Sequence, residues 1–140
     1  TKIVNMVQSQ QNINEAFPGG LIALQTDLDP AVTKSDSLAG NIAGLNGRLA
    51  KATDEIKCAV NLFDHVIGIE GNVKAEPIKT GDVLMLTAAI AKTVGNVSSV
   101  SKGVASIKLR LPVVANKGDR ITISKQVGGR WHLIGYGVIS

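Results

Sequence analysis

The sequence predicts an all-β protein whose short antiparallel strands close into one barrel or sandwich over residues 56 to 139. Three observations point there. The apolar residues are Val, Ile, Leu and Ala, with aromatics at only 3%, a mix that suits packed strands better than a ring-lined pocket. Apolar and polar residues alternate with a period of two along "VASIKLRLPVVA" and "RITISKQ", as strands with one buried face require. Turn chemistry recurs between the runs, supplied by 15 glycines.

In chain order, "TKIVNMV" reads as a strand, followed by the polar run "QSQQNINEAF", a turn at Pro18-Gly19-Gly20 and the apolar "LIAL". Asp29-Pro30 breaks that run, with Pro30 placed for a first helical turn and Ser35-Asp36 offering side-chain oxygens as caps. "LNGRLAKATDE" (45–55) is a connector with a turn at Asn46-Gly47 and marks a candidate domain boundary. From Ile56 the alternation Ile56, Cys58, Val60 enters a core. Pro77 and Thr80-Gly81-Asp82 make a turn, and "VLMLTAAIA" reads as a buried strand, although its Leu, Met and Ala would also suit a helix. In "VASIKLRLPVVA", Ala105, Ile107, Leu109 and Leu111 should face one way and Ser106, Lys108 and Arg110 the other. "RITISKQ" and "WHLIGYGVI" should pair as a hairpin across Gly128-Gly129, because consecutive glycines supply the positive φ of a tight turn.

Charge is unevenly spread. The net charge is +4, yet from Lys102 onward seven cations face a single carboxylate, Asp119, while the rest is slightly acidic. Such a cluster points to a polyanion such as RNA, and equally suits a solvated strand face. Within it, Lys108, Arg110 and Arg120 should form a compact outward patch, with Lys125 and Arg130 beside the last hairpin.

Other chemistry is sparse. Cys58 stands alone, which excludes an intrachain disulfide and a cysteine zinc site, and in an apolar strand it reads as a core residue. No run is long enough to span a bilayer and no signal peptide is visible, so a soluble, cytoplasmic protein without a membrane partner is expected. "NKGD" (116–119) matches a guanine-reading tetrapeptide, but no GxxxxGK[ST] phosphate loop accompanies it and it sits between antiparallel strands. His65 beside Asp64 could form a local pair, and His132 should point outward. No nucleophile is placed by a motif, so no catalytic residue, metal ligand or cofactor is assigned. Trp131 and Tyr136, five apart, should lie on opposite faces, with Trp131 as a core plug.

Read together, "PGGLIALQTDLDPAVTKSDSLAGNIAG", "VNLFDHVIG", "EPIKTGDVLMLT", "IKLRLPVVANKGDRITIS" and "GGRWHLIGYGVI" resemble, in order and spacing, the gamma subunit of archaeal and eukaryotic translation initiation factor 2. Elongation factor Tu is a looser relative. The resemblance implies a GTPase domain followed by two β-barrels, of which this chain is similar to the rear. Residues 1–44 match the C-terminal strands of the second barrel, and 45–140 a third barrel of the elongation-factor-Tu type. GTP and magnesium would belong to the domain absent from this chain, which is therefore not itself an enzyme. The implied role is delivery of initiator methionyl-tRNA to the small ribosomal subunit with alpha and beta subunits. The alternative is a protein-interaction barrel that binds partner subunits without touching RNA. By analogy with the elongation factor, Ala23, Leu24, Gln25 and Thr26 would lie at the tRNA 3′ end, although the family usually has glycine where Gln25 stands. The family often has Arg-Arg in place of Lys125-Gln126 and Arg in place of His132, and both departures lower the positive charge here.

Overall fold

A computed structural model describes residues 1–17 and 19–140. The chain divides into two compact units, Thr1–Ala39 and Gly40–Ser140.

In the first unit, β1 (Ile3–Gln8), β2 (Gln11–Asn12) and β3 (Ile22–Thr26) form an antiparallel sheet in the order β2-β1-β3. Ser9 and Gln10, both at positive φ, close the β1–β2 hairpin inside what reads as a polar run. Of the expected Pro18-Gly19-Gly20 turn, Pro18 lies outside the described residues, while Gly19 and Gly20 take positive φ. Asp29 caps the single turn α1 (Pro30–Thr33) by accepting the Ala31 N–H at 2.8 Å, with Pro30 in the first turn. A 3-10 turn follows at Lys34–Asp36, where Ser35 and Asp36 take positive φ; the local capping hydroxyl is that of Ser37, which donates to the Val32 carbonyl. None of the described residues of this unit is buried.

The second unit is a closed antiparallel barrel. Its strands are β4 (Ala52–Ile67), β5 (Val83–Ala88), β6 (Ala91–Ser101), β7 (Val104–Val114), β8 (Arg120–Val127) and β9 (Arg130–Ile139), in the order β4-β7-β6-β5-β8-β9. Closure rests on β4, which is long enough to pair with β7 through Ala52 to Ala59 and with β9 through Cys58 to Ile67. The interior is aliphatic: Leu84, Leu86, Ile107, Ile121, Ile123, Ile134 and Val97 fill it around Cys58. Two-residue turns join neighbouring strands at Lys102-Gly103 and Gly128-Gly129. All four residues have positive φ, the geometry that follows the right-handed strand twist.

Four expectations are corrected. "VLMLTAAIA" is not one strand: β5 ends at Ala88, Ala89 takes positive φ, and Ala91 pairs back onto Ala88. Leu111 does not face inward with Ile107 and Leu109 but is 60% exposed. Between Thr53↔Val113 and Glu55↔Lys108, one residue of β4 opposes four of β7, so Leu109 to Pro112 bulge. The hydroxyl of Thr93, itself buried, accepts the Leu111 N–H at 3.1 Å and donates to its carbonyl at 2.9 Å, replacing a ladder pair.

Trp131 and Tyr136 do not lie on opposite faces. The ladder steps from Ile123↔Gly135 to Ser124↔Leu133, leaving Ile134 as an extra residue that reverses the phase of β9. Both rings therefore face outward. Trp131 is 37% exposed and is no plug, because the barrel is already filled by branched aliphatics.

Candidate nucleic-acid interface

The candidate cations fall in separate places. Lys108 and Arg110 lie on β7, and Arg120 begins β8. In the ring β4-β7-β6-β5-β8-β9, two strands separate β7 from β8 in either direction, so they are opposite walls. Lys108, Arg110 and Arg120 therefore do not form the compact patch that alternation led us to expect. Strand order around a barrel is a tertiary property that alternation does not encode.

Lys108 and Arg110 flank a cleft of about 410 Å³ where β6 and β7 part, lined also by Val94, Gly95, Asn96 and Leu109. The β6–β7 ladder ends at Gly95↔Leu109, just where the β7 bulge begins, and this opens the wall. Across the β4 ladder Lys108 faces Glu55, which offsets part of its charge.

On the opposite wall the Arg120 guanidinium lies over the Tyr136 ring, 5.5 Å from its centroid, and Tyr136 leans on Phe63 at 6.3 Å with the rings tilted by 48°. This is a cation–π contact joined to a tilted aromatic pair. The sequence gives Tyr136 as the only Tyr, but its contacts depend on the Ile134 bulge and so were not readable from spacing.

Lys125 is not a free cation. Its Nζ pairs with Asp82 Oδ2 at 3.0 Å, with side-chain exposures of 23% and 19%. Burial works against the Asp82 charge, but hydrogen bonds from the Lys79 amide and Lys125, with the two lysine charges, outweigh it and hold the carboxyl below its ordinary value. Sequence reasoning found Asp82 only as a turn residue. Arg130 is exposed beside the Gly128-Gly129 turn. His132 is half-buried, with Nδ1 3.3 Å from the Ile67 carbonyl, and His65 is exposed and bridged to Lys74.

Ala23, Leu24, Gln25 and Thr26 occupy β3. Ala23 to Gln25 are exposed and Thr26 is half-buried, and β3 is one of the two outer strands of its sheet, pairing only with β1 among the described residues.

"NKGD" closes on itself. The Asp119 carboxylate accepts the Asn116 N–H at 2.7 Å, and the Asp119 N–H donates back to the Asn116 carbonyl at 3.1 Å. The carboxylate that would read a guanine thus holds a β7–β8 turn, and these residues do not fit a guanine nucleotide. Cys58 is fully buried, and burial pushes its thiol up to about 11, which suits a core residue and not a nucleophile. No group of His, Cys, Asp or Glu among the described residues could hold a metal ion, and no helix among them is long and apolar enough to cross a membrane.

Comparison with known proteins fits this barrel. The family model described as "Initiation factor eIF2 gamma, C terminal" matches residues 54–139. Translation initiation factor 2 subunit gamma of Methanocaldococcus jannaschii is 47% identical and that of Pyrococcus abyssi 45% identical, each over 139 residues, or 99% of this chain. The chain spans about a third of the length of these curated relatives, 34% in both. Among solved structures, a bacterial selenocysteine-specific elongation factor, EF-Sec, superposes with a TM-score of 0.63 at 16% identity, covering 98% of this chain and 20% of that one. That likeness shows the fold alone. The 140 residues contain no GTPase domain, and residues 54–139 match the family's C-terminal model. The chain belongs to the translation initiation factor 2 gamma family, as its C-terminal part.

Proposed function

We propose that this chain is the C-terminal barrel region of a cytoplasmic initiation factor that delivers initiator methionyl-tRNA to the small ribosomal subunit, working with alpha and beta subunits. The observation that carries this reading is similarity over 99% of the chain to gamma subunits of translation initiation factor 2. Residues 45–140 are the third barrel and 1–44 the closing strands of a second one. The absence of any buried residue among the described part of Thr1–Ala39 supports the latter, since a three-stranded sheet with unburied apolar side chains lacks a core of its own.

Contacts to RNA come from the separate cations. Lys108 and Arg110 meet phosphates at the β7 cleft, Arg120 and Arg130 serve as single positions, and Lys125 contributes less because Asp82 holds it. The outer edge of β3, at Ala23 to Thr26, offers main-chain groups to the tRNA 3′ end. Salt dependence tests this. In the full chain, replacing Lys108 and Arg110 by Ala should reduce the slope of log affinity for RNA against log salt by about one to two units, and Arg120→Ala by at most about one, additively.

Two observations favour the second reading, a barrel that binds partner subunits without RNA: Leu111 stands exposed on the bulge beside the cations, and Lys108 faces Glu55. An unchanged slope in the folded double variant, with loss of subunit binding in Leu111→Ser, would replace the RNA reading by this one.

A further inference from the structure

The β7–β8 turn that disqualifies "NKGD" as a nucleotide reader also forms one wall of a recess of about 360 Å³ at an end of the barrel. Its opposite wall comes from the segment before β4. Asn46-Gly47 turns the chain there, with the Arg48 N–H donating to the Leu45 carbonyl at 3.0 Å, and this presents Arg48 and Leu49 to the recess. Arg120 lines it from the start of β8, and Ile42 and Val114 add branched aliphatic surface.

The chemistry of the lining is selective. Neither arginine has an ion-pair partner among the described residues, and Arg48 is exposed in a turn. The one carboxylate in the wall, Asp119, accepts the Asn116 N–H at 2.7 Å. A phosphate-rich ligand would bring several negative charges against it, whereas a single carboxylate can sit toward the arginines. No aromatic residue lines the recess, so a nucleobase finds nothing to stack on. The aliphatic wall instead fits a Leu or Ile side chain, and the volume lies at the small end for a ligand site, enough for one or two side chains.

We propose that this recess binds an acidic-aliphatic peptide segment of a partner protein, with a Glu or Asp carboxylate held by Arg48 and Arg120 and the neighbouring aliphatic side chain packed on Ile42, Leu49 and Val114. The argument is charge complementarity joined to an apolar floor, the combination that fixes register as well as affinity in peptide recognition. The cleft at Lys108 and Arg110 lies elsewhere and Arg48 belongs to no expected RNA contact, so Arg120 is the one residue this proposal shares with the RNA reading.

The test uses the full chain and an acetylated, amidated peptide of alternating Leu and Glu, followed by methyl NMR. The expected result is saturable shifts of the Ile42, Leu49 and Val114 methyls, with affinity falling about tenfold when Glu in the peptide becomes Gln, as loss of a charge-assisted contact implies. Arg48→Gln should weaken the Glu peptide similarly and remove its advantage over the Gln peptide, the coupling that a double-mutant cycle isolates. Because the peptide substitution leaves the protein untouched, the proposal stays testable even if the Arg48 variant folds poorly. Shifts elsewhere, no shifts at millimolar peptide, or equal affinity for the Glu and Gln peptides would overturn it. So would stronger binding of oligouridylate or inorganic phosphate at the same methyls, which would make the recess an RNA or anion site.

Discussion

At the scale of single residues, the barrel is sensitive where strands cross closely and tolerant where rings face outward. A Cβ on Gly135 would meet the Asn61 carbonyl and lie 2.9 Å from the Leu62 Cα, both backbone atoms of β4 that cannot swing aside. Gly135 also pairs with Leu62 next to the bulge at Ile134, so a shift there propagates into barrel closure. Gly135→Ala should therefore cost about 2 to 3 kcal/mol, the upper part of the usual range for overpacking. Ile123→Ala, at a fully buried site, should cost a similar about 2 to 4 kcal/mol through the cavity it leaves. Trp131→Ala should cost less than either, because the ring faces out. Urea unfolding of the three variants checks the order; a Trp131 variant as unstable as Ile123→Ala would return that ring to the core.

At the scale of elements, the Lys125–Asp82 pair ties the end of β8 to the turn that leads into β5. Asp82 also accepts the Lys79 N–H at 2.9 Å, so one carboxylate fastens the turn and the strand together. Its folded pKa lies below the ordinary 3.8, so the unfolded chain takes up the proton first as pH falls. The stabilisation is thus present above pH 3.8 and is lost as pH drops through the lower folded value. Asp82→Asn should lower stability by about 1 kcal/mol at pH 7, the scale of a partly exposed pair. Wild type and variant should converge as the carboxyl protonates, and thermal melts from pH 7 to about pH 2.5 would show it. A constant difference across that range would mean that shape, not charge, is what Asp82 supplies. The strands themselves were legible where the signal is local: the Gly128-Gly129 doublet gives the last hairpin, and alternation places Ile107 and Leu109 inside. The phase of Leu111 was not, because it depends on Thr93, 18 residues away, and that of Tyr136 was not, because the Ile134 bulge leaves no mark in the spacing. The cations were legible as a charge excess and not as a surface. Which of them share a wall follows from the ring order of the strands, and Asp82's claim on Lys125 from a contact 43 residues apart.

At the scale of the whole molecule, the two units differ in what holds them. In Gly40–Ser140 the ladder closes, every barrel strand has two neighbours, and the buried aliphatics form one cluster. An amide in β8, such as that of Ile121 or Ile123, can exchange only when this closed structure opens as a unit. In Thr1–Ala39 the sheet has two outer strands, none of its described residues is buried, and Ile3, Val4 and Leu24 stay exposed. Its hydrogen bonds can open a strand at a time, with little apolar area returned to water. Hydrogen exchange on the full chain should therefore find the amides of Ile22 to Thr26 exchanging at least about a hundredfold faster than those of Ile121 and Ile123, a gap of roughly 3 kcal/mol in opening free energy. A protein partner or RNA that engages β3 should slow the first set and leave the second unchanged, since binding protects only the openings it opposes. Equal protection of both sets without any partner would show that Thr1–Ala39 opens together with the barrel, and its exposed apolar residues could then no longer be read as the face of an incomplete second barrel.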